Sequence, residues 1–251
     1  HQVSLVAAKR IILNKTEELQ RIIAGRDKLY SVIAHDLRSP MGSIKMVLNM
    51  LMLNLPVEKI GGEMYELLTM ANRTTEDVFS LLDNLLKWTK SQIGNLNVVY
   101  QDVDAVEVVD SVIDVFNMVA GLKKITIREE KPEKLPVCTD IDMLKTIIRN
   151  LLSNAIKFSN ENSEVLVKME EQGDTVVVSV KDSGCGIDEE GQKKLLHTDT
   201  HFSTFGTNNE EGSGLGLLLC QDFAVKSGGK LWFTSKKGEG STFYFSIPLK
   251  K

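Results

Sequence analysis

Cysteine is scarce in this chain. Cys138, Cys185 and Cys220 lie far apart among 251 residues and form no CxxC pair. An odd, scattered set excludes a disulfide framework and a cysteine zinc site, and fits a reducing, cytoplasmic setting. There is no run of 18 apolar residues to read as a membrane span and no secretory leader. The chain opens abruptly at His1, as a piece cut from a longer protein would, so a membrane anchor in the parent outside these residues is an expectation. A cationic excess is also missing. Residues 1–95 hold 12 Lys and Arg against 10 Asp and Glu, and the rest hold 18 against 24. Neither part has the charge that nucleic acid or an anionic membrane would favour, so no nucleic-acid partner is expected. What remains is an ordinary globular composition, 42% apolar and 25% charged, long enough for two domains.

Two periodicities divide the chain. From residue 3 to about 53 apolar residues recur at helical spacing, through Leu5, Ile12, Leu19, Leu29, Ile33, Leu37, Met41, Ile44, Leu48 and Leu51, with Pro40 as the only proline. A helix of that length spans about 75 Å at 1.5 Å per residue and needs a partner to persist in water. Turn residues at 54–61 lead into a second helix, with Met64, Leu67, Leu68, Ala71, Val78, Leu81, Leu82, Leu85 and Trp88 at three- and four-residue steps. The two make an antiparallel hairpin. Two helices cannot enclose a core, so a homodimeric four-helix bundle is predicted.

After a linker at 94–101 the pattern becomes mixed. Helices are expected at about 104–121, 140–158, 188–196 and 214–228, and strands at about 125–130, 164–171, 175–182, 230–235 and 241–247. Hairpin turns fall at Gly173-Asp174 and at Lys237-Gly238-Glu239-Gly240. The expected architecture is therefore a helical domain, 1–95, followed by an α/β sandwich with one mixed sheet, 96–251.

Three segments of the second half carry polar chemistry. Asn150, Asn154 and Lys157 are spaced four and three apart, on one helix face suited to phosphates and a hydrated Mg2+ ion. Asp182 ends a run of alternating valines and is followed by Gly184 and Gly186, a carboxylate able to accept from an exocyclic amine. Gly212, Gly214, Leu215 and Gly216 open a helix, where backbone N–H groups can meet phosphate. The run does not closely follow a strand, which excludes a Rossmann reading.

In this order and spacing the segments resemble the ATPase domain, of Bergerat type, shared by histidine kinases, gyrase-type topoisomerases, ninety-kilodalton heat-shock chaperones and mismatch-repair ATPases. The resemblance covers about 98–248. It implies ATP as ligand, Asn154 on Mg2+, Lys157 on phosphate and Asp182 on adenine, with Asn150, Phe158, Leu215 and the glycines completing the pocket. Residues 188–211 would be the mobile lid over ATP. His201-Phe202-Ser203-Thr204-Phe205-Gly206-Thr207 is similar to the family's phenylalanine box, with Phe202 as its first phenylalanine. Phe205 stands where many members carry a basic residue.

On the first helix, His35 lies two residues from both Ile33 and Leu37 and so points about 200° from each, toward solvent. Asp36 can bond one ring nitrogen and raise the basicity of the other, which can then attack phosphorus. Ser39 shares that face, and Pro40 removes the N–H that would bond the Asp36 carbonyl. The run His35-Asp36-Leu37-Arg38-Ser39-Pro40 resembles the histidine box of the dimerisation and phosphotransfer domain of sensor histidine kinases. The resemblance implies autophosphorylation at His35 and transfer to an aspartate of a response regulator receiver domain. Ser39 stands where the family usually has Thr or Asn, the residue assigned to orienting water for dephosphorylation of the partner. A gyrase- or chaperone-type ATPase would place glutamate where Asn150 stands, and a scaffolding pseudokinase would not need Asn154, Asp182 and the glycines intact.

Overall fold

The computed structural model describes residues 2–55, 57–92, 98–195, 207 and 215–249. The chain divides into two compact units, His1–Asn97 and Val98–Lys251.

The first unit is helical. Helix α1 runs Gln2–Asn54 and continues through Pro40. A one-turn helix α2, Val57–Ile60, and Gly61 at φ +78° reverse the chain into α3, Gly62–Gln92. The helices are antiparallel, because Arg38 pairs with Asp83 at 2.7 Å while Lys45 pairs with Glu76 at 3.4 Å. The seam between them is built from Ala34, Leu82 and Leu86, with Met41, Val78 and Leu85 packed alongside. Within one chain, then, only part of the expected apolar face of α1 is covered. Ile33, Leu37 and Ile44 stay 43%, 47% and 48% exposed, one helical step round from Ala34 and Met41. The small side chain of Ala34 allows close approach, and the larger aliphatics form a second, uncovered face. No helix among the described residues is long and apolar enough to cross a membrane.

The second unit is an α/β sandwich. Its elements are β1 Gln101–Asp104, α4 Ala105–Leu122, β2 Thr126–Glu130, β3 Pro136–Thr139, α5 Ile141–Phe158, β4 Glu164–Gln172, β5 Thr175–Lys181, α6 Glu189–Lys194, α7 Leu215–Lys226, β6 Leu231–Lys236 and β7 Gly240–Pro248. Five strands form a mixed sheet in the order β2-β4-β5-β7-β6, with β2 parallel to β4 and the other pairs antiparallel. Short β1 and β3 pair separately. They were not anticipated, and Gln101 belongs to β1 rather than to a linker. Helix α5 packs against both α4 and α7, and the three supply the fully buried Val109, Ile113, Leu144, Ile147, Leu151, Leu152 and Leu219; Val165, Val178, Phe245 and Ile247 come from the sheet. Each such side chain contributes about 1.5–3 kcal/mol relative to exposure.

The helix that carries the polar face is fixed at both ends. Asp140 caps α5 by accepting from the amides of Asp142 and Met143, at 2.9 and 3.0 Å, and its other oxygen takes the Val99 amide at 2.9 Å. Lys157 sits in the last turn, where a cation complements the helix dipole.

Candidate functional site

On α5 the core stripe Ile147, Ile148, Leu151, Leu152 and Ala155 faces the sheet, which leaves Asn150, Asn154 and Lys157 half-buried on the helix's other flank. Asn150 donates from Nδ2 to the Thr146 carbonyl at 2.9 Å. That bond orients the amide and turns Oδ1 toward α7. The Asn154 side chain makes no hydrogen bond among the described residues. The Lys157 ammonium lies 5.1 Å from the centre of the Phe158 ring.

Asp182 follows β5 and is 4% exposed. Its Oδ1 accepts from the amides of Gly184, 2.9 Å, and Ser241, 3.2 Å. No other residue among those described donates to Oδ2, so that oxygen is available to a ligand. Burial raises the Asp182 carboxyl above the usual carboxylate range, and the backbone amides of Gly184, Ser241 and Asp182 itself act in the opposite direction. A buried acceptor oriented by backbone suits selective binding of a neutral donor such as an amine.

The glycines have a use that spacing does not reveal. A Cβ on Gly184 would stand 2.1 Å from the Phe158 carbonyl, and one on Gly186, where φ is +62°, would stand 2.0 Å from the Lys236 carbonyl. On Gly216 it would stand 2.6 Å from Asn150 Oδ1. These contacts are far below any real Cβ approach. The glycines thus draw Asp182, Phe158 and Asn150 and the start of α7 at Leu215 into one region. Gly240, φ +95°, joins them, since its Cβ would meet the Asp182 carbonyl at 2.1 Å. In the sequence Gly240 reads only as part of a turn. Phe202, Gly212 and Gly214 lie outside the described residues, as do the other phenylalanine-box positions except Thr207; of the expected lid, 188–195 are described and carry the short helix α6.

Lys123, at the end of α4, was missed entirely. It is 7% exposed and donates to the carbonyls of Ile156 and Lys157 and to Thr207 Oγ1, at 3.0, 2.9 and 2.6 Å. A lysine just past a helix end reads as a solvated cation, so the sequence offers no signal for it.

In the helical unit His35 Nδ1 lies 3.2 Å from Asp36 Oδ1, and the two side chains are 80% and 72% exposed. Among the described residues no Lys or Arg reaches Asp36. Arg38 turns instead to Asp83, which Lys87 also meets at 3.0 Å. Ser39 is exposed one turn further along. With Nδ1 facing the carboxylate as donor, Nε2 carries the lone pair and points into solvent.

Known proteins share the fold and much of the sequence. Residues 139–251 match the family of histidine kinase-, DNA gyrase B- and HSP90-like ATPases. Over 93% of its length the chain is 29% identical to the adaptive-response sensory kinase SasA of Crocosphaera subtropica, and spans 62% of that protein. Full-length ShkA, solved in complex with AMPPNP, shares the fold at TM-score 0.67 and 21% identity, over 89% of this chain and 46% of ShkA. The catalytic domain of the histidine kinase ThkA superposes with TM-score 0.53 and 30% identity, over 60% of this chain and 96% of that domain. The ATPase-family match together with the 30% identity over nearly all of the ThkA catalytic domain places the chain in the sensor histidine kinase family.

Proposed function

We propose that the chain is a kinase core that transfers the γ-phosphoryl group of ATP to its own His35 and from there to an aspartate of a response regulator receiver domain. The carrying observation is the exposed His35–Asp36 pair, 3.2 Å apart, in a chain whose second unit is an ATPase domain. Residues 1–95 are the dimerisation and phosphotransfer domain and 96–251 the ATP-binding domain. Asp182 reads the adenine amine through Oδ2. Lys157 meets phosphate, and Asn150, Phe158, Gly184, Gly186, Leu215 and Gly216 shape the pocket, with Phe202, Gly212 and Gly214 assigned to it by resemblance alone. Asp36 holds the His35 ring in the tautomer whose Nε2 is nucleophilic and stabilises the positive charge the ring gains. Ser39 is available to orient water in the reverse, phosphatase reaction.

The donor set fits magnesium. No group of three or more His, Cys, Asp or Glu able to hold a metal exists among the described residues. The amide oxygen of Asn154, without a partner among the described residues, is the kind of single hard ligand that Mg2+ accepts when it keeps its waters and arrives with phosphates. Bound there, the ion would neutralise phosphate charge.

The second face of the hairpin supports a homodimer. Leu37, Ile44, Leu67 and Met70 remain 47–65% exposed along α1 and α3, a stripe too long for a monomer's surface.

The decisive experiment incubates the chain with γ-labelled ATP and Mg2+. Acid-labile label should accumulate on the unmodified chain and be absent from His35→Gln, which should bind ATP normally. Label on the variant would overturn the acceptor assignment.

A further inference from the structure

We propose that Lys123 is a positioning residue for the phosphate end of the nucleotide site. It acts through the last turn of α5 and touches no nucleotide. The proposal rests on the ATP reading above and adds a residue to it.

The backbone around Lys123 aims it inward. Helix α4 ends with the amides of Lys123 and Ile125 both donating to the Ala120 carbonyl, at 3.0 and 2.9 Å. Lys124 adopts φ +55°, a left-handed conformation uncommon for a residue with a side chain. The turn thus sends Lys123 inward and leaves Lys124 exposed. Burying an ammonium is costly unless its donors are met. Here they meet the carbonyls of Ile156 and Lys157, at 3.0 and 2.9 Å. Those carbonyls belong to the final turn of α5, where intrahelical donors have run out and partial negative charge collects. The same turn carries the Lys157 side chain, with Asn154 one turn before it.

Thr207 completes the arrangement. Its amide donates to the Lys157 carbonyl at 3.2 Å, and its hydroxyl accepts from Lys123 Nζ at 2.6 Å. The hydroxyl has one hydrogen to give. The Ser159 carbonyl at 2.8 Å is a nearer acceptor than that of Lys157 at 3.1 Å. One buried cation therefore joins the end of the phosphate-facing helix to Thr207, in the stretch between the two glycine boxes. An apolar side chain would fill the space equally well but would leave the Ile156 carbonyl and the Thr207 hydroxyl without this donor, and the Lys157 carbonyl to Thr207 alone.

The test compares Lys123→Met, which keeps the stem and removes the charge, with Lys123→Arg and Thr207→Val in the full chain. ATP with Mg2+ is titrated calorimetrically, and adenosine by ligand-observed NMR. Lys123→Met should bind ATP roughly ten-fold more weakly, the scale of one charge-assisted hydrogen bond, and adenosine unchanged. Lys123→Arg should recover most of the loss. Thr207→Val should reproduce part of it, and the double variant should lose less than the sum. Equal ATP affinity in Lys123→Met would overturn the proposal, as would a parallel loss of ATP and adenosine, which marks general damage. If Lys123→Met does not fold, unchanged ATP binding by Thr207→Val overturns it. Failure of the unmodified chain to bind ATP would instead remove the ATP reading on which the proposal rests.

Discussion

The two units hold their polar groups in opposite ways. In the helical hairpin His35 and Asp36 stand in solvent, 80% and 72% exposed, above a thin apolar seam of Ala34, Leu82 and Leu86. In the α/β unit Asp182 is sunk beside a continuous core, its Oδ1 held by two backbone amides. An exposed nucleophile can be presented to more than one reaction partner, as a donor nucleotide and an acceptor protein would require. A buried, backbone-fixed acceptor can discriminate one base, because competing water is excluded and the geometry is set beforehand. The contrast extends to stability. The sandwich encloses its own core, whereas the hairpin leaves an outer apolar face uncovered, the face the proposed dimer would close.

The contrast is tested most severely at Asp36. Asp36→Asn keeps the side chain's size and removes the charge that stabilises the ring during attack. Autophosphorylation should slow by roughly 10²–10⁴-fold, the usual range for a positioned acid–base group. ATP affinity should not change, since the pair lies outside the nucleotide-binding unit. A rapid-quench time course at saturating ATP decides it. A rate near that of the unmodified chain would reduce Asp36 to surface charge.

Leu82→Asp places a carboxylate in the hairpin seam, where Leu82 is 6% exposed. Burial of an unpaired charge should cost several kcal/mol and melt the hairpin. Light scattering should then report monomers in place of dimers, with ATP binding by the α/β unit retained. Joint loss of ATP binding would show that the units are not independent. If the unmodified chain is itself monomeric, the uncovered face has been misread.

How much of this could be read in advance depended on residue type and length. Helix α5 and the β4–β5 hairpin were legible because α5 and β4 keep their periods over 18 and 9 residues, β5 is a run rich in valine, and Gly173 takes φ +63° at the turn. Strands β1 and β3 have four residues each, too few to show a period, and β3 begins with proline. Which residues meet inside a single hairpin was not legible, because α1 carries two apolar faces. Periodicity weights the large residues Ile33, Leu37 and Ile44, while close helix approach selects the small Ala34. At the nucleotide site the glycine spacing was visible, but its cause was not. Gly184 and Gly186 are required where the carbonyls of Phe158 and Lys236 approach them, and those carbonyls lie 26 and 50 positions away in sequence. Lys123 could not be found, because only the fold shows that it is buried.

The smallest effect, and the most discriminating, belongs to Asp182→Asn. Asparagine can still accept the amides of Gly184 and Ser241 through Oδ1, but an amide NH2 replaces the oxygen available to adenine. The lost charged hydrogen bond is worth about 1.5–3 kcal/mol, so ATP affinity should fall roughly ten- to a hundred-fold. Stability should move the other way. Burial holds the folded-state carboxyl above its unfolded value. Its contribution to stability is therefore fully present below the unfolded pKa, about 3.9, and is lost as pH rises through the folded pKa. At neutral pH the buried carboxylate weakens the fold, and replacing it by a neutral amide removes that penalty. Without nucleotide, the variant should melt at or above the temperature of the unmodified chain at pH 7, and the gap should close as the pH approaches 4. Saturating ATP should reverse the order, because ligand stabilises in proportion to its affinity. A variant that melts well below the unmodified chain at pH 7 yet binds ATP equally would make Asp182 a structural anchor for Gly184 and Ser241 and nothing more.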